Sequence, residues 1–419
     1  MECTVHPSTV SGTVGAPASK SVLLRALAAG LLADGRTTLS GVSCCDDVRA
    51  GLGILRGLGA VVMEDEAVWT VRGPLDPREQ ELDCRESGLC LRMFAPLAAL
   101  SEREITLTVR GSLASRPVTM LERPLAGLGV RCTTNEGLPP VRVRGPLRSG
   151  TVAVDGRLSS QFLTGMLMAL PLAGGRSILR VRQLRSRPYI DLTLNLLRDF
   201  GIQVSHEKYE TFDIPGGQRY QPRAYAVEGD WSGAAFPLVA GALAGDVTVT
   251  GLDAASVQAD RAIAAALTAA GALIRVTPAS VRAAQGDRRA FSFDATDCPD
   301  LFPPLVALAV HCPGVTILHG VHRLRHKESD RAAALHDEFR RLGAAIAIDG
   351  DVMTVRGGPL TGGTVHSRHD HRIAMAAAVA ALAGGGPVTI GGARAVEKSY
   401  PAFYRDLERL GATVNTPDD

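Results

Sequence analysis

The sequence predicts an α/β protein of two similar domains, and three observations predict it. The first is a pattern that recurs six times, with apolar residues four and one positions before a glycine. It occurs at Leu55/Leu58/Gly59, Leu125/Leu128/Gly129, Leu197/Phe200/Gly201, Leu267/Ala270/Gly271, Phe339/Leu342/Gly343 and Leu407/Leu410/Gly411, with the glycines 68 to 72 residues apart. The second is the strand-like run after each glycine, such as Ala60-Val61-Val62 or Ala344-Ala345-Ile346. A helix that ends on a left-handed residue and gives way to a strand reads this way. The third is a pair of seams, one from Pro215 to Pro222 running on to Glu228-Gly229-Asp230, the other near Val14-Gly15-Ala16-Pro17. The period is too long for a solenoid, so each copy reads as a small αβ subdomain. Six copies divide into three plus three. Residues 1–15 with 229–419 form one expected domain, the first strand joining the C-terminal half, and residues 16–228 form the second, inserted between them. A ligand cleft is expected at the interface of two such domains.

Composition bounds the class. At 419 residues and 46% hydrophobic content the chain can bury a large core. A net charge of +2 offers no basic field for nucleic acid, and 4% aromatic residues offer no base-stacking platform. The longest apolar runs are interrupted and too short to span a bilayer, and Met1 to Ser11 carries no secretory pattern. Eight scattered cysteines without a Cys-x-x-Cys fit reduced thiols in a cytoplasmic protein.

In chain order, the residues that bear chemistry stand at predicted helix starts. Ala18-Ser19-Lys20-Ser21 precedes the run Val22 to Leu32, where unpaired N–H groups would stabilise a phosphate or carboxylate. Lys20 adds a point charge and Arg25 a fork one turn on; a plain serine cap is the other reading. Cys84 to Met93 runs loop, glycine, helix, and Gly88 is either a mere turn or a place where backbone approaches an anion. Arg116, in Ser115-Arg116-Pro117, reads as a loop edge. Ser159, Ser160 and Gln161 open a further helix with two hydroxyls and an amide, a donor set suited to phosphate oxygens. Ser186-Arg187-Pro188-Tyr189 repeats the theme, and both stretches also read as caps.

The second half continues the device. Asp297 and Asp300 flank a proline before Leu305 to Val310, either as dipole partners or with one of them a general base. Leu324 to Arg331 is densely charged yet leads into the apolar-periodic run Ala332 to Leu342, with Ser329 or Asp330 placed to cap it. Capping explains the acids but not Lys327. Lysine stands only at positions 20, 208, 327 and 398, against 41 arginines. Where arginine serves almost everywhere, a lysine marks a need for a compact, tunable ammonium. One helical turn would present Lys327, Glu328 and Arg331 together. His366, His369 and His371 invite a metal, but no fourth ligand or matching spacing accompanies them, so Arg372 before Ile373 to Leu382 reads as another anion site. Lys398, in Glu397-Lys398-Ser399-Tyr400-Pro401, precedes the last helix. Together these stretches describe a cleft ringed by helix starts, built for at least two anionic substrates.

At this point a family resemblance is plain. The chain resembles 5-enolpyruvylshikimate-3-phosphate synthases, enolpyruvyl transferases of the shikimate pathway. The matching stretches run in the family's order from Pro17-Ala18-Ser19-Lys20-Ser21 through Ser159-Ser160-Gln161-Phe162, Ser186-Arg187-Pro188-Tyr189 and Glu228-Gly229-Asp230. They continue through Pro299-Asp300-Leu301, Leu324 to Arg331, Asp370 to Ala376 and Lys398-Ser399-Tyr400-Pro401. The resemblance implies a two-domain inside-out α/β barrel of six βαβαββ subdomains, three per domain, with the active site in the interdomain cleft. It implies transfer of enolpyruvyl from phosphoenolpyruvate to the 5-hydroxyl of shikimate 3-phosphate with release of phosphate, by a monomer without metal or organic cofactor. By the same resemblance Ser159, Ser160 and Ser186 hold the shikimate phosphate, Ser21, Arg25 and Tyr189 contact the rest of that substrate, and Gln161 lies against its ring. Lys20, Gly88, Arg116, Gln161, Arg331, Arg372 and Lys398 surround phosphoenolpyruvate. Asp300 takes the 5-hydroxyl proton with Lys327 near that oxygen, Glu328 handles the methylene proton, and Lys20 assists the leaving phosphate.

The chain departs from the family at Glu86-Ser87-Gly88-Leu89, where Asn-Ala-Gly-Thr or Asn-Ser-Gly-Thr is common, and at Met93, often proline. A carboxylate at Glu86 is unexpected near an anion. Glyphosate occupies the phosphoenolpyruvate site in this family, so these changes lead to an expectation of reduced glyphosate sensitivity. One rival is the sister family of UDP-N-acetylglucosamine enolpyruvyl transferases. It carries a reactive cysteine in the loop that corresponds to residues 111–119, where this chain has none, and asparagine where Ser21 stands. A non-catalytic small-anion binding protein is the other rival, and it would not need Asp300 and Glu328 among the cations.

Overall fold

The structure is a computed structural model that describes residues 1–416. It divides into two compact units: a first of Met1–Pro17 with Glu228–Asp419, and a second of Ala18–Val227. Each unit contains three four-stranded sheets, and among the described residues none of the six closes on itself. The fold class is mixed α/β.

One sheet of the second unit shows how all six are built. Glu81–Asp83 runs parallel to Glu104–Thr108, which requires a crossover, and the helix Gly88–Ala98 supplies it. The helix Glu122–Ala126 then leads to Arg131–Asn135, which turns back as Leu138–Arg144. That last strand pairs antiparallel with both Glu104–Thr108 and Arg131–Asn135, giving the order first, second, fourth, third. The second unit's opening sheet takes its outer strand from the unit's far end, Ala224–Ala226 running parallel to Arg36–Ser40.

The first unit is closed by the N-terminus. Val10–Gly15 pairs in parallel with Gly245–Thr250 from Val10 opposite Gly245 to Gly15 opposite Thr250. Glu2–Val5 lies antiparallel between Val388–Gly391 and Val414–Asn415.

The six recurring glycines end the second helix of each subdomain, and all six have positive φ, from 79° at Gly129 to 100° at Gly59. The residue after each glycine donates its N–H back to the apolar residue that opens the pattern. Ala60 bonds Leu55, Val130 Leu125, Ile202 Leu197, Ala272 Leu267, Ala344 Phe339 and Ala412 Leu407, all at 2.8–3.0 Å. This bond closes carbonyls that a helix end leaves open, and it needs a left-handed residue where the glycine stands. The apolar acceptors are buried, so one residue both packs the core and receives the cap.

The two helices of a subdomain bury themselves differently. Asp46–Gly57, Arg187–Asp199 and Arg331–Arg341 are one-sided, as a helix between core and water should be. By contrast, every residue of Gly88–Ala98, Trp231–Ala244, Phe302–Ala309 and His371–Ala381 is buried. In the first unit the last three of these pack on one another pairwise. All three carry buried alanines, among them Ala234, Ala235, Ala307, Ala374, Ala377 and Ala378, and small side chains favour close packing of helices. The first turns of the three helices are thereby gathered at one place. Among the described residues no helix is long and apolar enough to cross a membrane.

Candidate active site

The first unit's centre lies where those three helix starts meet. Asp230 begins Trp231–Ala244, its Oδ1 accepting from the N–H groups of Ser232 at 2.8 Å and Gly233 at 3.2 Å. Asp300 sits in the 3-10 turn Pro299–Leu301 that opens Phe302–Ala309. Asp370 caps His371–Ala381, its Oδ1 accepting from the Arg372 N–H at 3.0 Å. The charged stretch of the sequence enters here with its own helix, Arg331–Arg341, capped by Asp330 through the Ala333 N–H at 3.2 Å.

Arg331 is the hub and is wholly buried. Its Nη1 donates to Asp300 Oδ1 at 2.6 Å, its Nη2 to Glu328 Oε2 at 2.6 Å and its Nε to Asp370 Oδ2 at 2.8 Å. Ser329 Oγ also donates to Asp370, at 3.0 Å. Asp300 in turn meets Lys327 Nζ at 3.2 Å and Arg372 Nη2 at 3.3 Å. Arg372 Nη1 is aimed at the carbonyls of Ser232 and Asp300, each at 3.4 Å. Three carboxylates and three cations thus balance in formal charge. Such a cluster offsets the cost of leaving water through its mutual attraction and its many hydrogen bonds, here centred on Arg331.

The cluster sets the protonation of its members. Burial pushes the Asp300 carboxyl up, but Arg372, Lys327 and Arg331 together outweigh it and hold the group well below the usual carboxylate range. Burial lowers the Lys327 ammonium, with Asp300 opposing. Burial also works against the charge on Arg331, and Asp370, Glu328 and Asp300 overcome it and push that guanidinium far up. Lys398 is buried at the end of the 3-10 turn Ala393–Lys398.

In the second unit the predicted residues again stand at helix starts. Lys20 and Ser21 are the first residues of Lys20–Leu32, and Lys20 Nζ donates to Asp47 Oδ2 at 2.8 Å. Ser19 occupies the cap position, yet its hydroxyl is buried and makes no cap bond, so the plain-cap reading of this stretch is corrected. Arg25 is buried and donates to Ser21 O at 2.7 Å, Thr193 Oγ1 at 2.9 Å and Thr164 Oγ1 at 3.2 Å. Burial lowers its guanidinium to about 10. It ties three helices together, those of Ser21, Thr164 and Thr193.

Ser159 and Ser160 precede the helix Gln161–Ala169, with Ser159 Oγ accepting from the Gln161 N–H at 3.1 Å. Ser186 takes a left-handed conformation, φ 57°, ahead of Arg187–Asp199, which carries Tyr189. Gly88 begins its helix under two arginines: a Cβ there would lie 2.8 Å from Arg92 Nη1 and 3.3 Å from Arg116 Nη1. Only glycine admits both guanidinium groups at that distance.

Glu86 turns toward the neighbouring loop, where its Oε2 accepts from Ser112 Oγ at 3.4 Å and a Cβ on Gly111 would meet its Oε1 at 2.2 Å. The carboxylate thus braces the 3-10 turn Gly111–Ser115 that leads to Arg116.

Four residues escaped the sequence reading. Arg92 donates to Gln161 Oε1 at 3.2 Å and to Pro117 O at 3.0 Å, and an arginine inside the apolar run Leu89–Phe94 was a usable signal. Asp47 stands in the first turn of Asp46–Gly57 and accepts from Lys20. Asp370 enters the sequence analysis only within a longer motif, and Asp260 is buried beside Ser232 with nothing in the local sequence to mark it.

Known proteins are similar to this chain over nearly its whole length. The family described as EPSP synthase (3-phosphoshikimate 1-carboxyvinyltransferase) matches residues 5–407. Among curated relatives, a 3-phosphoshikimate 1-carboxyvinyltransferase of Aeropyrum pernix is 40% identical over 411 residues, covering 98% of this chain and 96% of its own. One of Clostridium novyi (strain NT) is 35% identical over 424 residues, covering 98% of both. Among solved structures, an EPSP synthase from Acinetobacter baumannii superposes with a TM-score of 0.84 at 26% identity, over 99% of this chain and 100% of that one.

Proposed function

The chain belongs to the EPSP synthase family, and from that premise we propose how its residues divide the work of the reaction. The enzyme transfers the enolpyruvyl group of phosphoenolpyruvate to the 5-hydroxyl of shikimate 3-phosphate and releases phosphate. In the first unit Asp300 takes the hydroxyl proton as the oxygen attacks the substituted enol carbon, and Lys327 stabilises that oxygen. Glu328, taking up a proton from solvent as Arg331 turns from it to phosphoenolpyruvate, gives that proton to the methylene carbon and removes one again as the carbon–oxygen bond to phosphate breaks. Arg331, Arg372 and Lys398 hold phosphoenolpyruvate. In the second unit Ser159, Ser160 and Ser186 take the shikimate phosphate, while Ser21, Arg25, Gln161 and Tyr189 orient the rest of that substrate. Lys20, Gly88 and Arg116 complete the phosphoenolpyruvate set, and Lys20 assists the leaving phosphate. Each unit is read as one domain of a monomeric enzyme.

The observation that carries these roles is the joint hold of one guanidinium on Asp300 and Glu328, both at 2.6 Å. A base and an acid need fixed geometry before pKa matters. Three cations keep Asp300 a weak base at rest. The carboxylate and phosphate of phosphoenolpyruvate compete for Arg331 and Arg372, and as either guanidinium turns to the substrate Asp300 becomes more basic. The substrate thus raises the base it is about to need. Eight free cysteines, several fully buried, favour a reducing compartment, the cytoplasm. Glyphosate is taken as an inhibitor at the phosphoenolpyruvate positions, weakened here by Leu89 and Met93.

A phosphate-release assay tests the reading. Release is expected only when phosphoenolpyruvate and shikimate 3-phosphate are both present. Release with UDP-N-acetylglucosamine instead, or none with either acceptor, refutes it.

A further inference from the structure

We infer that Asp260 is a further positioning residue of the first unit's centre, a carboxylate that governs how fully Arg372 is committed to Asp300. The inference rests on the reading of Asp300 as the base. Asp260 lies in the 3-10 turn Ala259–Ala262 and is 1% exposed. Its Oδ2 accepts from Ser232 Oγ. The carbonyl of the same serine accepts from Arg372 Nη1 at 3.4 Å, and Arg372 Nη2 stands 3.3 Å from Asp300 Oδ2. The chain of interactions therefore runs from Asp260 through Ser232 and Arg372 to the base.

Two atoms in this chain are buried without a hydrogen-bond partner, Asp260 Oδ1 and Arg372 Nε. A buried carboxylate oxygen left unsatisfied is costly. Packing does not require it, because Gln258 already fastens this turn to the start of Trp231–Ala244. Its Nε2 donates to Gly229 O at 2.8 Å and its Oε1 accepts from the Trp231 N–H at 3.1 Å. Asp260 is thus available for another task.

The charged and titratable groups facing it are Asp300, Arg372 and Asp230, together with Cys298, whose thiol burial keeps neutral. Burial, with Asp300 adding to it, pushes Asp260 up to about 6, and Arg372 and Ser232 oppose the shift. Ionised, Asp260 shares the field of Arg372 and repels negative charge on Asp300, so Asp300 binds a proton more readily. Protonated, it leaves Arg372 wholly to Asp300, which becomes a poorer base. Asp260→Asn imitates the protonated state and keeps an acceptor for Ser232 Oγ.

The test compares turnover of wild type, Asp260→Asn and Ser232→Ala from pH 5 to 8.5. Asp260→Asn is expected about three- to tenfold below wild type at pH 8 and equal to it at the acid end. Ser232→Ala, which removes a donor to the carboxylate, moves the acid limb of the profile to higher pH. A ratio of wild type to Asp260→Asn that is the same at every pH indicates a merely structural residue and overturns the inference. Carboxyl NMR of aspartate-labelled enzyme without substrates gives a reading independent of turnover. Asp260 is expected to titrate at about 6, and Asp300 to move lower in Asp260→Asn. Titration of Asp260 with ordinary aspartates, at about 4, also overturns it. If wild type releases no phosphate the proposed function fails, while the carboxyl titration still decides the role of Asp260.

Discussion

Nη1 of Arg331 stands 2.6 Å from Oδ1 of Asp300. The acid and base of the proposed reaction therefore share one guanidinium, and changing either should alter chemistry more than binding. Asp300→Asn and Glu328→Gln are each expected to lower turnover about a hundredfold or more, with substrate affinities changed only a few-fold. Single-turnover kinetics beside equilibrium binding separates the two effects. Near-normal turnover in Asp300→Asn would falsify its role as base.

Gly88 makes a different prediction, because its missing side chain makes room for Arg92 and Arg116. Arg116→Ala should raise the KM for phosphoenolpyruvate with little loss of kcat. Gly88→Ala should do likewise by displacing both arginine ends, whose flexibility lets the fold survive. A displacement near 1 Å in such a site costs up to about a hundredfold. If Gly88→Ala leaves that KM unchanged, the two arginines are not a substrate pair.

Leu89 and Met93 are buried in the first two turns of Gly88–Ala98. The backbone at Met93 abuts Gly165, where a Cβ would lie 2.4 Å from Met93 O, so a change at 93 is transmitted into a neighbouring helix. Glyphosate, longer than phosphoenolpyruvate, should suffer more from the resulting tilt. Leu89→Thr with Met93→Pro should therefore lower the inhibition constant for glyphosate measured against phosphoenolpyruvate. A native enzyme already as sensitive as other members, or a double variant with unaltered inhibition, ends this explanation.

Stability should depend on pH in two opposite ways. Asp300 is held below the unfolded value, so its contribution is full above pH of about 4 and is lost as pH falls through the folded value. Asp260 is raised to about 6, so its ionisation costs stability that is absent below about 4 and complete above about 6. Asp260→Asn should then be more stable than wild type at pH 8, by on the order of 2 kcal/mol, and similar to it near pH 4. Urea unfolding at the two pH values checks this; equal differences at both would show that the carboxylate's charge is not involved.

The helix-ending glycines differ in what surrounds them. A Cβ on Gly343 would meet nothing nearer than 3.5 Å, whereas one on Gly271 would lie 2.0 Å from the Asp287 carbonyl oxygen. Gly343→Ala should cost about 1–2 kcal/mol, the strain of the left-handed conformation alone. Gly271→Ala should cost clearly more, since backbone must move. Thermal unfolding of both variants gives the comparison.

The sixfold architecture was legible because its signal is local: one glycine and two apolar residues specify each helix end, and the spacing repeats. Asp300, Lys327, Glu328, Arg331 and Arg372 were legible for a related reason, since helix starts rich in charge and hydroxyls read as anion sites. What the sequence did not show is which charges neutralise one another. The link from Arg331 to Asp370 joins the starts of two different helices, and only tertiary packing brings it about. Asp260 was invisible for the same reason, as nothing in Gln258-Ala259-Asp260-Arg261 says that the acid is buried and the arginine exposed.

The position of Glu2–Val5 has a consequence for biosynthesis. This strand is synthesised long before its hydrogen-bonding neighbours, Val388–Gly391 and Val414–Asn415. At ordinary elongation rates it waits roughly 20–80 s for them. Val10–Gly15 likewise waits for Gly245–Thr250 while the whole second unit emerges. All strands of that unit's three sheets have been made by Val227, so it should mature during translation while the amino-terminal strands remain unpaired. Nascent chains stalled once Val227 has cleared the ribosome should therefore already resist protease from Ala18 onward and be cut before Pro17.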